Sequence, residues 1–178
     1  MQLVIPMAGL GKRFQEAGYT TPKPLIPVGG IAMVVGVVRQ LPAASRIVLV
    51  CHPEHLTRYA LAETLRQHLP GAVLVATPGL TEGQACSVRL AGPHLDPDES
   101  VLVAACDSTQ VADLKRFRSL TEDPQIDAVV WTYRGEPRVL VHPEWYGWVR
   151  DEGGCLTAVS VKKPLSDCPL GDHVITGT

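Results

Sequence analysis

Short apolar runs alternate along this chain with longer amphipathic stretches, and that rhythm predicts its elements. Runs at 2–7, 47–51, 72–76, 101–105 and 128–133 predict strands. The segments 33–41, 54–68, 84–91 and 111–122 carry apolar residues at helical spacing and predict helices. The strand segments are rich in valine and continuously hydrophobic, the pattern of strands covered on both faces. Strands and helices in alternation predict right-handed βαβ units and a mostly parallel sheet, an α/β fold. After Tyr133 the rhythm changes: 145–150 and 155–162 are strand-like and flank Asp151-Glu152-Gly153-Gly154, a turn-forming cluster. This predicts a β-hairpin added to the core within one domain spanning 1–178, with the α/β core at 1–133 and the hairpin at 134–178. The stretch 173–178 reads as a strand entered where the sequence stops, so a chain truncated at the C-terminus is expected.

Composition narrows the class. At 178 residues, 46% hydrophobic and 19% charged, the chain can bury a sizeable core. A formal net charge of −2 offers no global attraction to nucleic acid or to an anionic membrane, so any phosphate site must be local. The five cysteines are widely spaced with no Cys-x-x-Cys; three lie in or beside apolar runs and read as buried free thiols rather than a disulfide framework or zinc site. No basic n-region with a long apolar run opens the chain, and no stretch reaches the roughly 20 apolar residues of a membrane span. A cytoplasmic enzyme is the expectation, with neither nucleic acid nor membrane as partner. The six histidines show no ligand-like spacing beyond His52-x-x-His55 and read as surface or loop residues.

The chemistry gathers at the start of the chain. The first strand runs into Ala8-Gly9-Leu10-Gly11-Lys12-Arg13, and Pro22-Lys23-Pro24 follows about ten residues later. In open α/β sheets ligands sit outside the carboxyl ends of strands. Glycine there permits positive φ and brings backbone N–H groups close to phosphate oxygens. The spacing matches neither the dinucleotide fingerprint nor the Walker loop. Prolines on both sides stiffen the backbone around Lys23, a rigidity that a solvated surface lysine does not use. A glycine turn with two fixed cations suits a triphosphate.

With these motifs in place, residues 1–30 resemble the sugar-phosphate nucleotidylyltransferases, the NDP-sugar pyrophosphorylases of the nucleotidyltransferase superfamily. That family opens with Gly-x-Gly-x-Arg, then Pro-Lys-Pro and Leu-x-Pro-Val; here these are Gly9–Arg13, Pro22-Lys23-Pro24 and Leu25-Ile26-Pro27-Val28. The resemblance implies a three-layer α/β/α, Rossmann-like fold of the nucleotide-diphospho-sugar transferase type. It implies Arg13 and Lys23 as catalytic residues, with Ala8, Gly9 and Gly11 around the nucleotide. Thr81-Glu82-Gly83-Gln84-Ala85 resembles the family's base-reading loop, which assigns Gly83 and Gln84 to the nucleobase; Gln84 reads equally as the start of a helix. The apolar run 101–105 leads to Cys106-Asp107, and the resemblance implies Asp107 as a Mg²⁺ ligand, against the plainer reading of a helix N-cap. Tyr146-Gly147, Lys163-Pro164 and Thr176-Gly177 resemble the segments that contact the acceptor, which assigns Gly147, Lys163 and Thr176 to it. A second metal aspartate of the family would lie beyond residue 178.

The implied activity is Mg²⁺-dependent nucleotidyl transfer from a nucleoside triphosphate to a sugar-1-phosphate or related phosphorylated alcohol, in NDP-sugar and polysaccharide biosynthesis. Lys162 stands where the family usually has glutamate, which keeps CTP-dependent transfer to phosphocholine open as an alternative. Trp145, Tyr146 and Trp148 are candidates for a cation cage there, or for hairpin packing. A catalytically silent nucleotide-binding module is the second alternative. The resemblance leaves a homo-oligomer open.

Overall fold

β1 (Gln2–Met7) is the strand around which the first part of the molecule is built. In the computed structural model, which describes residues 1–109 and 113–176, β1 lies between two parallel neighbours. The chain divides into two compact units, Met1–Ala112 and Asp113–Thr178. In chain order the first contains β1, α1 (Lys12–Glu16), β2 (Pro27–Val28), β3 (Ile31–Ala32), α2 (Met33–Gln40), β4 (Ile47–Cys51), α3 (Pro53–Arg58), α4 (Leu61–His68), β5 (Val73–Ala76), α5 (Gln84–Arg89) and β6 (Val101–Val103). Its parallel sheet has the order β5-β4-β1-β6.

Alternation along the strands feeds two cores, one on each face of the sheet. Leu3, Ile5 and Met7 join Leu49 and Cys51 on one face, packed with Val34, Val35 and Val37 of α2 and Leu61 and Leu65 of α4. Val4, Val48 and Val50 face the other way, against Ala91 and Val88. The sheet is therefore covered on both sides, the expected α/β/α layering, and this explains why its strands read as continuous apolar runs. Each fully buried aliphatic side chain contributes about 1.5–3 kcal/mol relative to exposure. Gln2, fully buried at the strand's start, is satisfied by Asp96: its Nε2 donates to the Asp96 carbonyl at 2.9 Å and its Oε1 accepts from the Asp96 N–H at 2.8 Å.

Pro6 sits inside a central strand, where proline is unusual. The Leu3 N–H points to the β4 side, donating to Arg46 O, and the Gln2 N–H points to the β6 side, donating to Ser100 O. Position 6 shares the direction of position 2. Pairing of β1 with β6 ends at Val4 and Val103, with one further bond from the Ala104 N–H to Val4 O. The proline thus lacks its donor just where the two strands stop pairing and a crevice opens.

The helix expected over 54–68 is two helices. Ala60 adopts φ +54°, a left-handed conformation that ends α3 and starts α4. His55, expected at the surface, is buried, packed beside His52 and Tyr59. Of the five cysteines, all free, two rather than three are buried, Cys51 and Cys106.

The second unit holds α6 (Leu114–Thr121), β7 (Thr132–Tyr133), β8 (Gly147–Glu152), β9 (Cys155–Val161) and β10 (His173–Ile175). Asp113 caps α6, its Oδ1 accepting from the N–H groups of Lys115 and Arg116 at 3.0 Å; positions 111 and 112 of the helix expected over 111–122 lie outside the described residues. The strand expected over 128–133 is reduced to β7, and it pairs antiparallel with β10 rather than joining the parallel sheet. The expected hairpin is β8–β9, within the sheet β7-β10-β8-β9. Trp148 is fully buried there with Val139 and Val174, and its indole N–H donates to Pro143 O at 3.2 Å. β9 is an edge strand, and Val159 and Val161 stand outward on it, 63% and 74% exposed. Positions 177 and 178 of the expected terminal strand lie outside the described residues.

Candidate active site

The carboxyl ends of β1 and β6 face a cavity of about 470 Å³ in the first unit. In chain order the parallel strands β1, β4, β5 and β6 take the spatial order third, second, first, fourth. From β1 the chain builds outward on one side through β4 and β5, then returns to place β6 on the other side of β1, and such a reversal is the place where open α/β sheets bind ligands.

One wall is the turn after β1. Gly11 adopts φ +64°, ψ 37°, the left-handed region, and its carbonyl accepts from the N–H groups of Phe14 at 2.9 Å and Gln15 at 3.2 Å to start α1. A Cβ at Gly11 would lie 3.3 Å from the Cβ of Lys23, so conformation and space both demand glycine. At Gly9 an added Cβ would meet no atom of the described residues within 4 Å. The fold itself does not require a small residue there, and the backbone stands open to the cavity.

Lys23 rises from a short 3₁₀ turn between Pro22 and Pro24, both buried. Anchored prolines on either side fix the stem of the lysine. Its ammonium lies 5.4 Å from the centroid of the Phe14 ring and pairs with the Asp107 carboxylate. Asp107 follows β6 through Ala104-Ala105-Cys106. It takes part in that ion pair, whereas the cap of α6 is Asp113. Burial pushes the Cys106 thiol up to about 11, with Lys23 opposing and Asp107 adding to the shift. Cys51 is pushed up to about 12 by burial, with Cys106 adding. Both stay as neutral thiols at physiological pH and act as small apolar groups.

The far wall is the start of α5. Gly83 is extended, and Gln84 is the first helical residue, so it both opens the helix and lines the cavity. The Thr81 and Ser87 hydroxyls lie 2.6 Å apart, and both approach the Gly83 carbonyl, at 3.3 and 3.4 Å. This network pins the loop.

Of the residues singled out in the sequence, Ala8, Gly9, Gly11, Arg13, Lys23, Gly83, Gln84 and Asp107 all line this one cavity. Sequence reasoning missed Phe14, Thr81, Ser87 and Cys106 in the same cavity. Phe14 could have been found by adjacency to Arg13; the hydroxyl pair carries no pattern that marks it.

Gly147, Lys163 and Thr176 belong to the second unit. A Cβ at Gly147 would approach Ile175 Cδ1 to 3.1 Å, which gives that glycine a packing reason within the hairpin sheet. Lys163 is exposed and follows Lys162, whose φ is +64°. The Thr176 N–H donates to Trp131 O at 3.0 Å, while its buried hydroxyl has no hydrogen-bond partner among the described residues. Trp148 is core, and Trp145 stacks on the His142 ring at 3.9 Å. Hairpin packing accounts for Trp148, with the Tyr146 ring edge-on beside it at 6.2 Å, while Trp145 is 44% exposed.

The donor set suits Mg²⁺. Asp107 supplies one carboxylate facing the turn where phosphate oxygens would sit, and Mg²⁺ is ordinarily held by one or two carboxylates plus substrate phosphates and water. Among the described residues no group of three or more His, Cys, Asp or Glu side chains forms a closed cage. Among the described residues, too, no helix is long and apolar enough to cross a membrane.

A crevice at a strand-order reversal, walled by a glycine turn and two cations, defines a nucleotide-binding α/β protein. The family model for the MobA-like NTP transferase domain matches residues 3–160, and the chain belongs to that family. A comparison with curated proteins gives no match. Among solved structures the chain is similar to the inositol-1-phosphate CTP transferase from T. maritima (TM-score 0.70, 16% identity, 99% of this chain and 68% of that one). It is also similar to a UDP-glucose pyrophosphorylase from Acinetobacter baumannii (TM-score 0.65, 21% identity, 99% and 74%). A nucleoside-diphosphate-sugar pyrophosphorylase from Vibrio cholerae aligns with TM-score 0.64 at 19% identity, over 98% of this chain and 72% of that one. At these identities the likeness shows the fold: mixed α/β with a mostly parallel central sheet.

Proposed function

We propose that this protein transfers a nucleotidyl group from a nucleoside triphosphate to a phosphorylated sugar or alcohol, releasing pyrophosphate. The observation that carries this reading is the meeting of the glycine turn, Arg13, Lys23 and Asp107 in one cavity at the crevice between β1 and β6. Family membership supports the nucleotide half of the reaction. The structural neighbours, named for transfer to sugar or inositol phosphates, support the acceptor class.

In this reading an oxygen of the acceptor phosphate attacks the α-phosphorus of the triphosphate. The new P–O bond forms as the bond from the α-phosphorus to the oxygen bridging to the β-phosphate breaks, and pyrophosphate leaves with that oxygen. The nucleophile is already anionic, so no general base is needed and the protein's task is positioning and charge neutralisation. Arg13 holds the β- and γ-phosphates through its planar fork. Lys23 neutralises charge around the α-phosphate. The backbone at Ala8, Gly9 and Gly11 follows the phosphates, and Gly83 and Gln84 meet the base, the glutamine amide offering donor and acceptor together. Asp107 holds Mg²⁺, which when bound supplies charge neutralisation across the triphosphate. Gly147, Lys163 and Thr176 serve the acceptor phosphate.

The test is pyrophosphate release with Mg²⁺, the four common nucleoside triphosphates, and a panel of phosphorylated sugars and alcohols. Arg13→Ala and Asp107→Ala should each lower turnover by a factor on the order of 10² or more while circular dichroism stays unchanged. Near-normal turnover in either variant removes that residue's role. Activity confined to CTP and phosphocholine would replace the sugar acceptor, and nucleotide binding without turnover would leave a binding module.

A further inference from the structure

The Lys23–Asp107 ion pair joins two groups that the proposed reaction needs apart, one on a phosphate and one on a metal. We propose that Lys23 holds the metal's place on Asp107, so that the divalent cation enters only as its complex with the triphosphate. This rests on the reading of the cavity as a triphosphate site.

Charge in the cavity argues for it. Among the described residues the charged side chains on its wall are Lys12, Arg13, Lys23 and Asp107. Three of these four are cations and the one carboxylate is already paired with an ammonium, a poor destination for a bare divalent cation. A triphosphate carries more negative charge than one divalent ion neutralises, so the metal–nucleotide complex is an anion and is drawn to the same wall. The ion pair is also shielded: the Lys23 and Asp107 side chains are only 19% and 31% exposed. Solvent and salt therefore weaken it less than a surface pair. A free cation must displace the ammonium and shed water at once, and magnesium dehydrates reluctantly.

The release mechanism is built into the stem of the lysine. Pro22 and Pro24 fix its backbone, Gly11 leaves room beside its Cβ, and the Phe14 face lies under its ammonium. The terminal group needs only to swing within this cradle from the carboxylate to an arriving phosphate. That single movement satisfies the lysine and frees the aspartate together, coupling the two ligands without any change of fold.

Mn²⁺ is the probe, with free ion read by its electron paramagnetic resonance signal and no turnover involved. Lys23→Met should bind Mn²⁺ alone at least about fivefold more tightly than wild type, the lower end of ordinary binding couplings. The gain should vanish in Lys23→Met/Asp107→Asn. Wild type should gain a similar factor when the α,β-methylene analogue of one of the four common nucleoside triphosphates is added. Equal affinity of wild type and Lys23→Met for Mn²⁺ alone overturns the proposal, as does a gain that survives loss of Asp107. If Lys23→Met does not fold, Lys23→Gln takes its place, and wild type whose affinity for Mn²⁺ does not rise with a bound analogue overturns the proposal without any variant. Should none of the four analogues bind, the triphosphate reading fails, while the metal-only comparison still decides the role of Lys23.

Discussion

Gly11 couples backbone conformation to the position of a cation. Its φ of +64° costs a residue with a Cβ roughly 1–2 kcal/mol, and the added methyl group would press on Lys23 from 3.3 Å. Gly11→Ala should therefore lower the urea midpoint by that stability loss and weaken triphosphate binding, measured by calorimetry. Unchanged nucleotide affinity in a destabilised variant would mean that Lys23 is placed independently of the turn. Gly11 and Lys23 were legible in the sequence because a glycine turn leaving a strand is followed by a proline-flanked lysine, and the two together constrain the backbone in a way a solvated surface does not use. Ser87 was not legible. Its hydroxyl matters through Thr81 and the Gly83 carbonyl, contacts made by the fold of a loop that leave no spacing rule behind.

At the scale of elements, the parallel sheet could be read from the sequence because both of its faces are buried, which removes alternation from the strands. The break between α3 and α4 could not, since Ala60 is a good helix former and nothing in its side chain announces φ +54°. Ala60 is exposed, so its methyl group contributes little packing. Ala60→Gly should relieve the left-handed strain and raise stability by up to about 1 kcal/mol, partly offset by greater freedom in the unfolded chain. A fall in the denaturation midpoint would show that the methyl group packs after all. The segment 128–133 misled for a related reason: an apolar run shows that a strand is covered, not which sheet it joins. Pro6, which a strand rule would count against β1, marks instead where β1 and β6 part.

For the whole molecule, His55 gives stability a dependence on pH. Burial lowers its pKa, and the neighbouring His52 lowers it further. The folded value lies below the ordinary one of about 6.5, so between the two the unfolded chain binds more protons. The contribution is fully present above about pH 6.5 and is lost as pH falls through the window down to the folded value. Melting temperature should drop as pH falls below that point, and His55→Leu should flatten the drop; an unchanged slope would place its origin in other groups.

The outward valines of β9 bear on how the purified protein behaves when concentrated. A strand edge with free N–H and C=O groups and two bared aliphatic side chains is a template on which another chain can zip. Light scattering should rise with concentration in the wild type, and Val159→Lys should suppress it by charging the rim. For crystallisation or long storage, that one substitution would be the first to make, because Val159 already stands open to solvent on its own sheet.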